Sequence, residues 1–289
     1  MTKAPVAVVI LTKDEEANLP GALESVCGWA SEVWVLDSFS ADKTVEVASK
    51  YPCRVAKKEF VSFPDQRNHA LRELPIEAEW VLFLDADERV SPGLREEISS
   101  LLAMSPVEDG FYMKRRFYWM GRWLRRGYYP VWLLRLCRKG ASRCEARSVN
   151  EHIVVDGTTE LLNEDLYHED AKPLEVWLEK HQTYARLEAE EMLAASRRRE
   201  NPSFWGAQAE RKRWIRLKVW DRLPLFVRPF FYFTYRYFLT GAFVEGTPAL
   251  CYHSLQALWY PILIDYHVMR LRSPWSRTAP QKTPETALR

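Results

Sequence analysis

The sequence predicts an α/β fold built on an open, mostly parallel sheet with flanking helices, followed by a basic and aromatic helical region. Three observations carry this. Apolar runs end repeatedly in acids: Val6–Leu11 precedes Asp14 and Glu15, Val33–Leu36 ends in Asp37, and Val81–Leu84 ends in Asp85 and Asp87. Continuous runs of this kind are expected of strands covered on both faces. Helical patterns alternate with them, and strands alternating with helices pair in parallel through right-handed crossovers. Ligands of such sheets sit at the carboxyl ends of the strands, where these acids fall.

The elements follow in order. Val6–Leu11 is the first strand, and the polar stretch Thr12–Asn18 leads into a helix. Glu32–Asp37 is the second strand, and the turn Ser38–Thr44 opens a helix over 42–50. Arg54–Lys57 makes a short third strand, and a helix starts at Phe63 and runs through Arg67, Asn68 and Leu71. The strand over 80–85 delivers Asp85 and Asp87, spaced i, i+2, to one edge. Two carboxylates in one crevice repel unless a cation is shared between them. Their hard oxygens suit Mg²⁺ or Mn²⁺, and an ion held by one or two carboxylates keeps positions open for a diphosphate. An acidic turn after a strand has the same three residues, so the context decides.

At 289 residues and a net charge of +2, the chain is long enough for a large core and gives no case for nucleic acid as a partner. The average hides a local excess. Residues 197–228 hold ten arginines or lysines against three acids, a pattern attracted to anionic lipid headgroups. Aromatic stretches follow, from Pro229 to Leu239 and from Ala249 to Ile264. Arg236, Glu245 and Asp265 interrupt the region and Pro248 and Pro261 bracket much of the second stretch. Amphipathic or re-entrant helices on one leaflet fit better than a span. A packed helical subdomain or a homo-oligomer interface is the alternative. The expected division is 1–195 catalytic, 196–272 membrane-associating and 273–289 a disordered tail. The chain opens on a strand without signal-peptide features, so the catalytic part is expected in the cytosol, peripheral or monotopic on the inner leaflet of the membrane. Five cysteines without C-x-x-C spacing imply a reducing compartment and no structural zinc. No Gly-rich dinucleotide fingerprint or P-loop is present, which counts against dehydrogenases and kinases.

Four segments carry a family resemblance: Thr12–Asn18, Leu36–Thr44, Gln66-Arg67-Asn68 with Ala70-Leu71, and Leu84–Glu88. In this order and spacing they resemble the nucleotide-binding half of family-2 glycosyltransferases with the GT-A fold. Gly127–Pro130 with Arg135, Val149–His152, Leu166–His168, and Lys180-His181 with Tyr184 and Glu188 are similar to the subgroup that includes lipopolysaccharide-core glucosyltransferases. One departure is Val131-Trp132, where that subgroup carries an acid after Tyr-Pro, and it bears on acceptor or sugar preference.

The resemblance implies roles. Asp37 contacts the base or ribose of a nucleotide-sugar donor, accepting hydrogen bonds from N–H or hydroxyl groups; capping the next helix is its structural alternative. Thr12, Asp14 and Glu15 line the first loop, and Arg67, Asn68 and Lys180 lie near the donor. Asp87 ligates the metal, Mn²⁺ or Mg²⁺, with His168 as a third protein ligand or diphosphate contact, and Asp85 contacts ribose or metal. Arg135 and Arg126 are candidates to neutralise phosphate. Inverting transfer needs a general base for the incoming hydroxyl; Glu151 is the choice and Asp170 the rival. The implied reaction moves a hexose from a nucleotide diphosphate, UDP-hexose foremost, to a glycolipid or lipid-linked acceptor. A sugar nucleotidyltransferase and a non-catalytic membrane-binding protein on the same fold are the alternatives.

Overall fold

A computed structural model describes residues 3–145, 152–198, 214 and 220–273. The chain forms two compact units, Met1–Lys172 and Pro173–Arg289. The division falls at the start of a long helix, whereas the basic excess in the sequence begins at its end.

The first unit opens with β1 (Ala4–Thr12), α1 (Leu19–Val26), β2 (Ala30–Asp37), α2 (Thr44–Ala48), β3 (Arg54–Lys57), α3 (Phe63–Arg72) and β4 (Trp80–Asp85). Then come β5 (Glu88–Val90), α4 (Pro92–Ala103), β6 (Gly110–Trp119), β7 (Arg122–Leu124), β8 (Val131–Arg138), β9 (Ser142–Cys144), β10 (Ile153–Val155) and β11 (Thr159–His168). Helices α3 and α4 start where the sequence places capping serines: Ser62 Oγ accepts from the Asp65 amide at 3.3 Å and Ser91 Oγ from that of Leu94 at 3.1 Å. Each has a proline in its first turn, where the missing N–H costs nothing.

The main sheet runs β3-β2-β1-β4-β8-β6-β11-β5, with β7 paired to β6, and β9 and β10 form a separate two-stranded sheet. It is mixed, which corrects the expectation of a mostly parallel sheet. Parallel pairing holds from β3 to β4 and again between β6 and β11. Strand β8 pairs antiparallel to both β4 and β6, and β5 antiparallel to β11. The physical reason is connection length: β6, β7 and β8 follow one another through short turns with no crossover helix between them, and short links join antiparallel neighbours. Apolar side chains cover both faces of the sheet. Val8, Ile10, Leu82, Leu84 and Phe111 pack with α1 and α4 on one side, and Val9, Leu36, Val81 and Phe83 pack with α3 on the other.

The second unit holds α5 (Leu174–Arg198) and a set of shorter helical segments ending in the helix Tyr260–Arg272. Ala185 and Ala189 of α5 pack on Ile264 and Val268, with small side chains allowing close approach. Arg228, counted in the sequence with the basic excess, spends its charge internally: it forms a buried ion pair with Asp265, whose other oxygen accepts from the Phe226 amide at 2.7 Å. Asp265 therefore interrupts the apolar pattern for a structural reason. Phe230, Phe231, Tyr235, Phe238, Leu239 and Phe243 are exposed. Among the described residues no helix is long and apolar enough to cross a membrane.

Candidate active site

From β1 the chain steps outward to β2 and β3, then returns to pair β4 on the other side of β1. That reversal opens a crevice beyond the carboxyl ends of β1 and β4. Register brings the acids to it: Thr12 lies opposite Asp37, and Leu11 opposite Asp85.

Two loops are laced together at this edge. Asp37 is fully buried, and its carboxylate accepts from Thr12 Oγ1 at 3.1 Å, from the Ser40 amide at 3.0 Å and from Ser40 Oγ at 2.5 Å. The Asp14 amide donates to Ser40 Oγ at 2.9 Å, and Asp14 Oδ1 accepts from the Ala41 amide at 2.6 Å. The Glu15 amide donates to Thr44 Oγ1 at 2.7 Å. Asp14 stands in the left-handed region at φ 53°, which an aspartate tolerates because its side chain bonds locally. The Thr12–Asn18 and Asp37–Thr44 segments, read as separate motifs in the sequence, thus form one rigid wall.

Asp85 faces arginines. Arg135 makes a close pair with Asp85 Oδ2 and donates to Glu88 Oε1 at 2.9 Å, while Arg67 reaches Asp85 Oδ1 at 3.4 Å. Glu88 is wholly buried, accepts from the Asp85 amide at 3.1 Å and has Arg115 at 3.5 Å. Burial raises the cost of ionising Asp85 and so does Asp87, yet Arg135 and then Arg67 outweigh them and hold its carboxyl below the usual range. Burial alone would make Arg135 easier to deprotonate, but Asp85 and Glu88 keep it firmly charged.

Asp87 has other company. Its Oδ1 lies 3.4 Å from His168 Nδ1, with both side chains about five-sixths covered. His168 ends β11, sits in register with Glu88 and Phe117, and stacks on the Phe117 ring with centroids 5.1 Å apart. The Glu169 amide donates to the Asp87 carbonyl at 3.0 Å, which fixes the two strand ends together. Glu15 approaches from the first loop, paired to Lys172 Nζ at 2.6 Å and to Asn18 Nδ2 at 2.8 Å. Burial pushes the Glu15 carboxyl up and the Asp87 charge adds to this, against the pull of Lys172 and Asn18. Asp170 Oδ1 accepts from Asn18 Nδ2 at 2.8 Å and from the Lys172 amide at 3.0 Å.

Among the described residues no group of three or more His, Cys, Asp or Glu side chains is placed to hold a metal ion. The Asp87/His168 pair still fits one. Adjacent ligands of an octahedral ion with bonds of about 2.1 Å stand about 3 Å apart, close to the 3.4 Å observed here.

The structure therefore gathers Thr12, Asp14, Glu15, Asp37, Arg67, Asp85, Asp87, His168 and Asp170 in the first unit around one crevice. Asn68 is occupied differently: its amide clasps the Cys144 backbone, donating to the carbonyl at 2.9 Å and accepting from the N–H at 2.8 Å. Lys180 is in the second unit, its Nζ 5.9 Å from the Tyr184 ring centroid. Arg126 is exposed on the loop after β7. Glu151 lies outside the described residues. Lys172, Glu88, Ser40 and Thr44 are parts of the network that sequence reasoning did not single out. Lys172 had one available signal, four residues beyond His168 in the same polar loop.

The fold is a GT-A-like α/β domain with a mixed sheet and flanking helices, and it presents acids and a histidine at the switch point of that sheet. Residues 7–146 match the family described as Glycosyl transferase family 2. The lipopolysaccharide core biosynthesis glycosyltransferase LpsC of Rhizobium meliloti is 29% identical over 215 residues, 70% of this chain and 76% of that protein. An uncharacterized glycosyltransferase of Rickettsia bellii is 37% identical over 98 residues, covering 34% of this chain and 33% of its own. Among solved structures, Staphylococcus aureus TarS 1–349 aligns at a TM-score of 0.46 and 14% identity, over 96% of this chain and 92% of that one.

Proposed function

We propose that this protein is a metal-dependent, inverting hexosyltransferase that takes its sugar from a nucleotide diphosphate, UDP-hexose foremost, and passes it to a glycolipid or lipid-linked acceptor of lipopolysaccharide-core type at the cytoplasmic membrane face. The observation that carries the reading is the Asp87/His168 pair, 3.4 Å apart at the switch point of a domain that matches Glycosyl transferase family 2. The Thr12–Asp37–Ser40 wall receives base and ribose. A divalent ion, Mn²⁺ or Mg²⁺, held by Asp87 and His168, would supply Lewis-acid stabilisation of the departing diphosphate. Asp85, locked between Arg135 and Arg67, orients the strand end and offers its outer edge to ribose. Glu151 takes the proton from the acceptor hydroxyl. Asp170, the rival, has Oδ1 already committed to Asn18 and the Lys172 amide.

The exposed rings of Phe230, Phe231, Phe238 and Phe243 suit burial in the headgroup region, and the basic residues of 197–222 suit anionic lipid. The test is a donor screen with the full chain: UDP-, GDP-, ADP- and dTDP-sugars, with Mn²⁺ or with chelator, reading nucleoside diphosphate release. Metal-dependent release from a UDP-hexose is expected. Release of pyrophosphate from a nucleoside triphosphate with sugar phosphate, or no turnover of any donor, would overturn the proposal.

A further inference from the structure

The outer end of the β6–β7 hairpin continues the face on which Phe117 stacks with His168, and its composition is strongly basic. Residues 110–144 hold ten arginines or lysines and no aspartate or glutamate. Acids from elsewhere neutralise the inner cations: Glu88 takes Arg115 and Arg135, and Asp165 takes Arg116 at 2.5 Å and Lys114 at 3.6 Å. The outer arginines, Arg122, Arg125 and Arg126, stand exposed at the rim.

Geometry orders this rim. Met120 and Gly121 turn the hairpin with φ of 51° and 71°, the pair of positive values that a two-residue turn between twisted strands requires. Trp119 and Arg122 are thereby set opposite each other, and side chains opposite across a ladder share a face. Phe117 lies on that same face, opposite Leu124 and in register with His168. The rings run outward in steps, from His168 to Phe117 at 5.1 Å and from Phe117 to Trp119 at 6.1 Å. Two residues of strand, about 7 Å, thus separate the level of His168 from the partly buried Trp119 and from Arg122 opposite it. On the opposite face the Arg116 and Arg125 guanidiniums lie 4.4 and 4.6 Å from the Trp123 ring centroid, which restrains both before any ligand arrives.

We propose that this hairpin is an acceptor subsite for an anionic saccharide, in which the Trp119 ring stacks on a sugar face and Arg122, directly opposite it on the same face, binds a phosphate ester or sugar carboxylate. An aromatic plane recognises the apolar face of a sugar ring, and guanidinium forks match carboxylate and phosphate oxygens. The ring would serve a neutral sugar as well, and it is the guanidinium beside it that a neutral acceptor does not need. Position next to the Asp87/His168 pair makes the subsite one for the incoming acceptor. The inference rests on the transferase reading above, and its test is separate from it.

The test is binding by the full chain without donor or turnover, followed by calorimetry and saturation-transfer NMR. Probes are glucose 6-phosphate, glucuronate, methyl glucoside, inorganic phosphate and anionic vesicles. Tighter binding of glucose 6-phosphate or glucuronate than of methyl glucoside or inorganic phosphate is expected, and the stronger of the two acids tells whether phosphate or carboxylate is the native group. Arg122→Gln, at an exposed position, should lose roughly tenfold or more in affinity for the anionic sugars, and Trp119→Ala should lose affinity for sugars without losing inorganic phosphate. Equal binding of neutral and anionic sugars, inorganic phosphate binding as tightly as the sugar phosphate, or rim-dependent binding of vesicles alone would each overturn the proposal. A chain that binds the anionic sugars through this rim yet turns over no nucleotide sugar would fail the transferase reading alone.

Discussion

Replacing Arg135 by methionine tests the electrostatic argument at its most exacting point. Arg135 is almost fully covered and serves two carboxylates, Asp85 and the wholly buried Glu88. Removing one partner of a buried pair leaves a charge without compensation, which typically costs about 3–5 kcal/mol. Here Glu88 keeps Arg115 at 3.5 Å and the Asp85 amide at 3.1 Å, and Asp85 keeps Arg67, so the lower end applies. At about 2–4 °C per kcal/mol for a unit of this size, the melting temperature should fall by roughly 6–12 °C. Glu88→Gln in the same chain removes the stranded charge while keeping an acceptor for the Asp85 amide, and should recover on the order of 1–3 kcal/mol.

The pH dependence of stability adds a second reading of the same contact. The depressed Asp85 carboxyl contributes stability that is present above its ordinary value of 3.8 and lost as pH falls below it. In Arg135→Met that carboxyl moves back up, so the acid limb below pH 3.8 should flatten. Urea midpoints from neutral pH down to the acid limb measure both effects. A loss under about 1 kcal/mol, or strict additivity of the two substitutions, would refute the reasoning.

Three further outcomes follow from the site and the surface. Asp87→Asn, nearly isosteric, should abolish most of the difference in nucleoside diphosphate affinity between Mn²⁺ and chelator; equal affinities in the native protein would dismiss the metal role. Glu151→Gln should lower turnover by roughly 10²–10⁴-fold with donor affinity almost unchanged, and a nearly active Glu151→Gln beside a dead Asp170→Asn would transfer the base to Asp170. Serine at Phe230 and Phe231 should weaken vesicle flotation at any salt, whereas glutamine at Arg211, Lys212, Arg213 and Lys218 should weaken it chiefly at low salt; indifference to anionic lipid together with a stable oligomer would favour an interface.

The parallel half of the sheet was legible because its signals are local. Each of the first four strands is a short apolar run closed by a polar or acidic residue, and Arg54–Lys57 and Trp80–Asp85 occur where the pattern places them. The antiparallel half was less legible, because β6 and β8 carry Lys114, Arg115, Arg116 and Arg135 inside the strands, and their partners are far away in sequence. Glu88 lies 47 residues from Arg135 and Asp165 lies 49 from Arg116. A charge in a strand looks like a surface position until its distant counter-ion is known. Lys172 escaped for the same reason: its partner Glu15 sits at the other end of the first unit's chain. Asn68 was placed correctly on α3 by its motif, but its hydrogen bonds to Cys144 depend on a loop geometry with no sequence signature.

The two acids of the Asp-x-Asp segment divide their work, and the division follows from strand geometry. Side chains two apart at a strand end have similar direction, so Asp85 and Asp87 would repel if both faced the same solvent. The chain separates them by what each meets. Asp85, last residue of β4, meets Arg135 from the neighbouring antiparallel strand β8 and Arg67 from α3, and its charge is consumed in fixing the crevice floor. Asp87, beyond the strand, meets His168 and the field of Glu15. A guanidinium is a permanent cation that no ligand displaces cheaply from a carboxylate, whereas an imidazole is a neutral donor that coordinates metal. In the proposed reading the carboxylate paired with histidine is the one that would take a divalent ion, and the carboxylate paired with arginine is the one that keeps its neighbour in place. The mixed sheet takes part in this: β8 runs antiparallel beside β4 with Leu136 opposite Leu82, and from the next position the Arg135 side chain reaches the Asp85 carboxylate.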